Sequence, residues 1–402
     1  MRKISRTRTR LAAAATAVGG VAIVGTALAT MASASPAGAG TLSAAATVTA
    51  TATVTATPIP TPTATQTTTP IPTPTATQTT TPTPTPTATQ TTTPAPTPTP
   101  TGMTAYRFAT LDNANDLTFN QLLGINNAGV IAGYFGSGAA GQPNKGYRLF
   151  PADGAGTYAN ENFPGSVQTQ VTGLNDNGDT VGFWSSMNTA SMVNNNFGFY
   201  ELNGRKFHTV EFPTGDNASP PVDQLLGIND HDIAVGFYTN GQGGNRGYTF
   251  NIRTKQFTRV LVPGYPAGTA GPSLTAAAIN NHGDIAGFYT DSNGNTDAFL
   301  DYRHGRFQTL DVPGASATQA LGVNDRDEVV GVYTVGTGSG ATTHGFTWTP
   351  GGGFASVDEP QGQGTTTING VNNAGDLVGF YVDATGNTDG FLATPLRYRM
   401  AG

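Results

Sequence analysis

Five histidines, a scatter of carboxylates and two loops with oxygen-bearing side chains at alternate positions are the residues of this chain that could do chemistry. The loops are the sharper signal. Asp291, Asn293, Asn295 and Asp297 in one, and Asp383, Asn387 and Asp389 in the other, alternate oxygen ligands as calcium loops do. Both lack the terminal Glu of an EF-hand, and such residues also close hairpins unaided, so calcium and a plain turn are both open readings. His231 and His282 each stand two residues after an Asn, in turns, and no carboxylate at a metal-ligand spacing supports them as a zinc pair. There is no cysteine, which excludes disulfides, thiolate metal centres and a Cys nucleophile. No G-x-S-x-G elbow occurs. Glu211, Asp216, Asp223, Asp311 and Asp358 could hide a carboxylate pair for glycoside hydrolysis, but no spacing picks one out. No catalytic set and no cofactor beyond calcium is expected.

Most of these residues belong to a repeat. Asn126, Asn175, Asn229, Asn280, Asn324 and Asn372 follow one another at spacings of 49, 54, 51, 44 and 48 residues. Two positions before each stands Gly or Ala, seven after it a Gly, and nine after it an aromatic: Phe135, Trp184, Tyr238, Tyr289, Tyr333, Tyr381. Each copy reads as four strands. An apolar run ends at the Asn, a tight turn (NNAG, NDNG, NNHG) leads to a second buried strand such as IAGYF, and a Gly/Asn/Thr-rich loop leads to a third such as GYRLF or AFLDY. A fourth, such as FHTVEF, ends at Pro. Four short antiparallel strands at a period near fifty predict an all-β fold, a six-bladed β-propeller of four-stranded antiparallel blades. The chain enters with a lone fourth strand, 106–112, and leaves with a third, 390–395. The N-terminal strand is therefore expected to pair in the last blade and close the ring. The recurring Asn is expected to cap its turn, and the recurring aromatics to pack between blades.

The motif G-[IVL]-N-[ND]-x-G-[DE]-[IVL]-[AV]-G-[FY]-Y, followed by triplets such as Asp297-Ala298-Phe299, His344-Gly345-Phe346 and Asp389-Gly390-Phe391, resembles the extracellular HAF repeat of bacterial proteins. Here the Phe of the triplet is kept and the His mostly lost. The resemblance implies export and a β-rich repeat fold, and brings no catalytic residues with it.

The flanks differ in kind. Residues 1–34 join a basic stretch to an apolar run and an A-x-A site at Ala32-Ser33-Ala34, and read as a signal peptide. Residues 35–102 carry no charge, repeat TATQTTTP, and read as a disordered Thr/Pro-rich stalk. The propeller spans 103–396, and 397–402 is a short tail. After residue 102 stand 25 acids against 14 bases, a balance that repels phosphate backbones and argues against nucleic acid. No membrane contact is expected once the signal is cleaved.

A ligand is expected on the face that carries the loops between strands two and three and between strands four and one. Gln121, Gln170, Gln224, Thr275, Gln319 and Thr367 share one repeated place at the start of strand one, where they could ring the opening with amides and hydroxyls suited to sugar or peptide. The leading expectation is a secreted or cell-surface, non-catalytic, monomeric recognition propeller for extracellular carbohydrate or protein. The alternatives are an extracellular propeller enzyme, hydrolase or lyase, and a purely structural envelope protein.

Overall fold

The computed structural model describes residues 105–396 apart from 140, 152–155, 188–194, 205, 265–271, 292 and 304, together with 53–55 and 57–58. The signal peptide, nearly all of the stalk and the tail lie outside the described residues, as does His304. The described chain is all-β: antiparallel sheets of four strands, no α-helix, and one 3-10 turn at Gly338–Gly340. No helix among the described residues is long and apolar enough to cross a membrane.

Unit 1 shows the plan. Its inner strand is Asn120–Ile125, followed by Ile131–Phe135, Lys145–Phe150 and the outer Thr157–Asn160, each antiparallel to the one before. Units 2 to 5 begin at Gln168–Leu174, Asp223–Ile228, Ser273–Ile279 and Ala317–Val323. Units 4 and 5 are further joined by one parallel pair, Thr296 with Ala317. Unit 6 has Thr367–Val371, Leu377–Val382 and Thr388–Pro395, and Ala105–Thr110 lies antiparallel along the last of these, with Thr110 opposite Phe391 and Phe108 opposite Ala393. Each unit packs on the next, and the second and inner strands of unit 6 pack on the inner strand of unit 1.

Small residues set how closely the inner strands approach. Every inner strand has a bulge just before its small residue, at the position three before its Asn. A Cβ on Gly173 would lie 3.1 Å from the Cα of Gly227, and one on Gly370 would lie 3.2 Å from the Cα of Gly124. Larger side chains there would push the units apart. Between units the core is aliphatic and aromatic: Leu122, Ile131, Leu149 and Tyr147 of unit 1 form one cluster with Val378 of unit 6.

The asparagines do more than cap. Asn126 Oδ1 accepts from the N–H groups of Ala128 and Val130, which closes the turn as expected. Its Nδ2 donates to the Asn175 carbonyl at 3.0 Å, and the same bond recurs from Asn175 to Asn229, Asn229 to Asn280, Asn280 to Asn324 and Asn324 to Asn372. Asn372 donates to the Asn126 carbonyl at 3.3 Å. A second, more exposed course lies beside it, in which each backbone N–H of Asn127, Asp176, Asp230, Asn281, Asp325 and Asn373 donates to the side-chain oxygen of the next.

Part of the region read as stalk is paired. Thr53–Thr55 runs antiparallel to Ala105–Arg107 and Thr57–Pro58 to Ala355–Ser356. Proline density breaks ladders only from Pro58 onward; the preceding run of Thr, Ala and Val has free N–H groups for the open edge of an outer strand.

One buried group is out of place. Glu201 is buried where units 1 and 3 have Leu149 and Phe250, and neither carboxylate oxygen has a hydrogen-bond partner. Desolvating a polar group without a partner is costly. Glu201→Leu, the residue unit 1 already uses, is expected to raise stability by about 1–3 kcal/mol in urea unfolding at pH 7. An unchanged or lower midpoint would mean that the carboxylate is satisfied.

Candidate functional site

The calcium loops close themselves. Asp291 Oδ1 accepts from the N–H groups of Asn293 and Asn295, at 2.8 and 3.0 Å, and its Oδ2 from both their amides. Asp383 does the same with Thr385 and Asn387. These bonds hold the Asp291 carboxyl below its ordinary range, the Asn295 N–H first among them. Asp297 and Asp389 stand at the head of the third strand, opposite Tyr289 and Tyr381. Among the described residues, neither loop gathers three acidic or histidine ligands at metal distance. The oxygen alternation builds Asx turns, which need the same residue types as a calcium loop.

The row of amides and hydroxyls sits at the head of the inner strands but is largely buried. Gln121, Gln224, Thr275 and Thr367 are buried, and Gln170 and Gln319 partly so. Gln121 accepts from the Tyr134 hydroxyl, Gln170 donates to Asn144, and Thr275 accepts from Asn245. The Gln224 amide and the Thr367 hydroxyl have no partner. The inner strands leave a void of about 20 Å³ bounded by Leu123, Thr172, Leu226, Ala277, Leu321 and Asn369 with Phe288, and a second of about 90 Å³ at their other end, ringed by the six recurring Asn. Approach of the small residues narrows the space between them.

Among the described histidines, His231 and His282 lie in turns, His344 near the head of a third strand, and His208 in an outer strand, stacked on Tyr200. His231 and His282 donate their backbone N–H to Asn229 and Asn280. Folding does bring carboxylates to His282: its Nδ1 lies 3.9 Å from Asp284, and Asp327 completes the group, contrary to what spacing alone indicated. Asp327 comes from the next unit's turn, so no local spacing could reveal it. The Asn280 amide bridges both carboxylates, at 3.0 and 3.4 Å. His344 Nδ1 pairs with Asp358 at 2.7 Å and its Nε2 with the Thr342 hydroxyl at 3.0 Å. Asp358 also accepts from the Gly345 N–H, the bond that Asn162 makes to Gly146 and Asp112 to Gly390. Asp223 is buried, bonded to the Tyr248 hydroxyl and the Phe212 N–H.

A cavity of about 480 Å³ lies on unit 1. Its walls are Phe135, Tyr147 and Tyr158; Asn113 and Asn115 bound it on one side, Asn160 to Ser166 on another, and Lys145 lines it too. It exists because the repeat is broken there. In units 2 and 3 the residue after the outer strand of the preceding unit lies flat on the recurring aromatic: Phe163 on Trp184 at 4.5 Å and Phe212 on Tyr238 at 4.8 Å. Val262 and Val312 pack with Tyr289 and Tyr333 in units 4 and 5. The matching residue before unit 1 is Asn113, whose side chain instead accepts from the N–H and the amide of Asn115. Nothing covers Phe135 from that side, and space is left.

Two hydroxyls are also new. Tyr147 is matched by Phe199, Phe299, Phe346 and Phe391, and Tyr158 by Phe in all five other units. In unit 3 the matching Tyr248 hydroxyl donates to Asp223. The hydroxyls of Tyr147 and Tyr158 are buried with no partner. The rings meet edge to face at 5.0 Å. The signal was present in the sequence as departures from the repeat at 113, 147 and 158, although the candidate residues picked were those that recur.

Asp112, just before the cavity, accepts from the Gly390 N–H at 3.0 Å. Burial pushes it up to about 7, against the Gly390 N–H and with help from Asp389, Asp383 and Asp116. An unfolded Asp titrates near pH ~4. Between there and about pH 7 the folded form keeps a proton that the unfolded form releases, so this group costs stability as pH rises through that window. Asp112→Asn should keep the backbone bond, as Asn162 does, and be stabilised relative to the parent by an amount that grows from pH 4 to pH 7. A difference in Tm that is independent of pH would contradict the assignment.

No family model matches the chain, and no curated protein matches it in sequence. Among solved structures it is similar to the SapL1 lectin in complex with α-methyl fucoside, at 12% identity and a TM-score of 0.46, over 70% of this chain and 94% of that one. It is similar also to Aleuria aurantia lectin with α-methyl-L-fucoside, at 12% identity, TM-score 0.43, 70% and 96%. A polysaccharide lyase, an ulvan lyase, aligns at 12% identity and TM-score 0.41, over 73% and 87%. Likenesses of this depth do not bear on ligand or activity.

Proposed function

We propose that residues 103–396 form a closed six-bladed β-propeller that recognises extracellular carbohydrate through the cavity on unit 1. The chain is exported by its N-terminal segment, belongs with the HAF-repeat proteins, and works as a monomer at the end of the Thr/Pro stalk. The observation that carries the reading is the cavity: about 480 Å³, walled by aromatic rings and edged by amides, on the loop side of the fold. Apolar ring faces cover the C–H side of a sugar, and amides and hydroxyls meet its oxygens. Six units, the packing of the last on the first and the Asn372 to Asn126 bond support the closed ring. A second reading, an extracellular hydrolase, is favoured by one observation: Thr342, His344 and Asp358 are hydrogen-bonded in the order nucleophile, base, orienter.

The purified mature chain on a glycan array, followed by product analysis on any glycan bound, separates these. Binding without released product is the expected outcome. Product release abolished in Thr342→Val would establish the second reading, and the absence of binding to every glycan would overturn carbohydrate recognition.

A further inference from the structure

We propose that the seam between units 4 and 5 is a site for one divalent transition-metal ion, zinc fitting it best, ligated by His282, Asp284 and Asp327.

The first argument is geometry. Two of the side chains belong to the turn of unit 4 and the third to the turn of unit 5, yet one ligand atom from each lies within 4.8 Å of the others. His282 Nδ1 stands 3.9 Å from an Asp284 oxygen, and ligands of one tetrahedral zinc ion, bound at about 2.0–2.1 Å, stand roughly 3.4 Å apart. A small rotation of His282 completes the set. That side chain is 62% exposed, so the group is open to an ion arriving from solvent. Asp284 is buried and held still, one oxygen by the Arg303 N–H at 3.0 Å and the other by the Asn280 amide. An imidazole nitrogen with two carboxylates suits zinc better than calcium, which takes oxygen ligands.

The second argument is a surplus of negative charge that the chain meets elsewhere and not here. At the other seams the amide of the recurring Asn serves at most two acceptors. The Asn280 amide faces three with its two hydrogens: Asp284 at 3.0 Å, the Asn324 carbonyl at 3.2 Å and Asp327 at 3.4 Å. The added acceptor is Asp327, whose place is Gly in four of the other units: Gly129, Gly178, Gly283 and Gly375. Among the described residues no Lys or Arg lies within ion-pair distance of Asp284 or Asp327. The Arg306 guanidinium lies over the Tyr302 ring instead, at 3.7 Å. The seam between units 2 and 3 shows how the chain supplies a cation to the same arrangement. There the two acidic places hold Asp179 and Asp232, Asn177 stands for His282, and the Arg253 guanidinium bonds to Asp232. The matching hairpin of unit 5, Thr349-Pro350-Gly351-Gly352-Gly353, has no basic residue. A metal ion supplies there what Arg253 supplies in unit 3.

The test is titration calorimetry of zinc chloride into the chelator-treated full mature chain, with Tm measured in zinc and in EDTA. One zinc ion should bind and raise Tm, since an ion held only by the folded seam stabilises it. Calcium chloride at the same concentration should not displace it. His282→Ala and Asp327→Gly install residues that other units carry at these places, and each should remove the binding and the zinc-dependent rise in Tm. An unchanged Tm in EDTA verifies the fold of each variant, and the exposed His282 decides if Asp327→Gly alone is unstable. His231→Ala is the control. His231 holds the same turn place, but Ile233 and Gly283 stand where the carboxylates are, so zinc should bind this variant as it binds the parent.

Zinc bound equally well by His282→Ala and Asp327→Gly would overturn the site. Calcium displacing zinc would overturn the choice of metal, and the absence of both heat and a Tm change with zinc would overturn the inference as a whole.

Discussion

One hydrogen bond, made six times, governs this structure: the amide of each recurring Asn donates to the main-chain carbonyl of the next. The same side chain's oxygen caps its own turn, so a single residue fixes a hairpin and the seam beside it. Both ends of the amide are used, and an ionised Asp, which has no donor, could not do both jobs. The bond forms only if inner strands come close, which is why the residue two before each Asn is Gly or Ala. Close approach also narrows the space between the inner strands, to about 20 Å³ beside Leu123 and Leu226. In a chain without disulfides, this belt and the aliphatic seams carry the work of holding the units together.

A frame so regular makes its exceptions meaningful. At the edge of units 2 to 5 a Phe or Val covers the recurring aromatic: Phe163, Phe212, Val262 and Val312. Unit 1 departs from this with Asn113 turned away, and beside it the hydroxyls of Tyr147 and Tyr158 are unpaired. Glu201 is an exception of another kind, with no cavity attached. The two tyrosines line the unit 1 cavity, and Glu201 does not.

Much of the fold was legible because its physics is local. The Asn-turn, the Gly two before it and the strand alternation each declare themselves within a dozen residues, and the lone strands at the two ends imply their pairing. The seam role of the Asn was not legible, since its acceptor lies 44 to 54 residues away in five units and 246 in the sixth. Whether the oxygens around Asp291 and Asp383 serve a turn alone or calcium as well was not legible for a different reason. Asx turns and calcium loops ask for the same oxygen-bearing residues, and N–H groups converge on the first carboxylate in both. Gln224 and Thr367 were expected at an open mouth, yet the inner strands pack so tightly that their heads are buried. The cavity depended on lining up Asn113 with Phe163 and Phe212, residues outside the strands on which the repeat was aligned.

The claim underlying all of this is that the belt runs continuously from the last unit to the first. The chain has no cysteine, so pairs of spin labels can be placed at will. Asn127 and Asp176 face each other across an interior seam, and Asn373 and Asn127 across the closing one, with N–H to oxygen distances of 2.8 Å in both. Pulsed dipolar spectroscopy on cysteine pairs at 127 and 176 and at 127 and 373 should give superimposable, short, narrow distance distributions. A longer or broader distribution for 127 and 373 would mean an open array, and the account would fail at its centre.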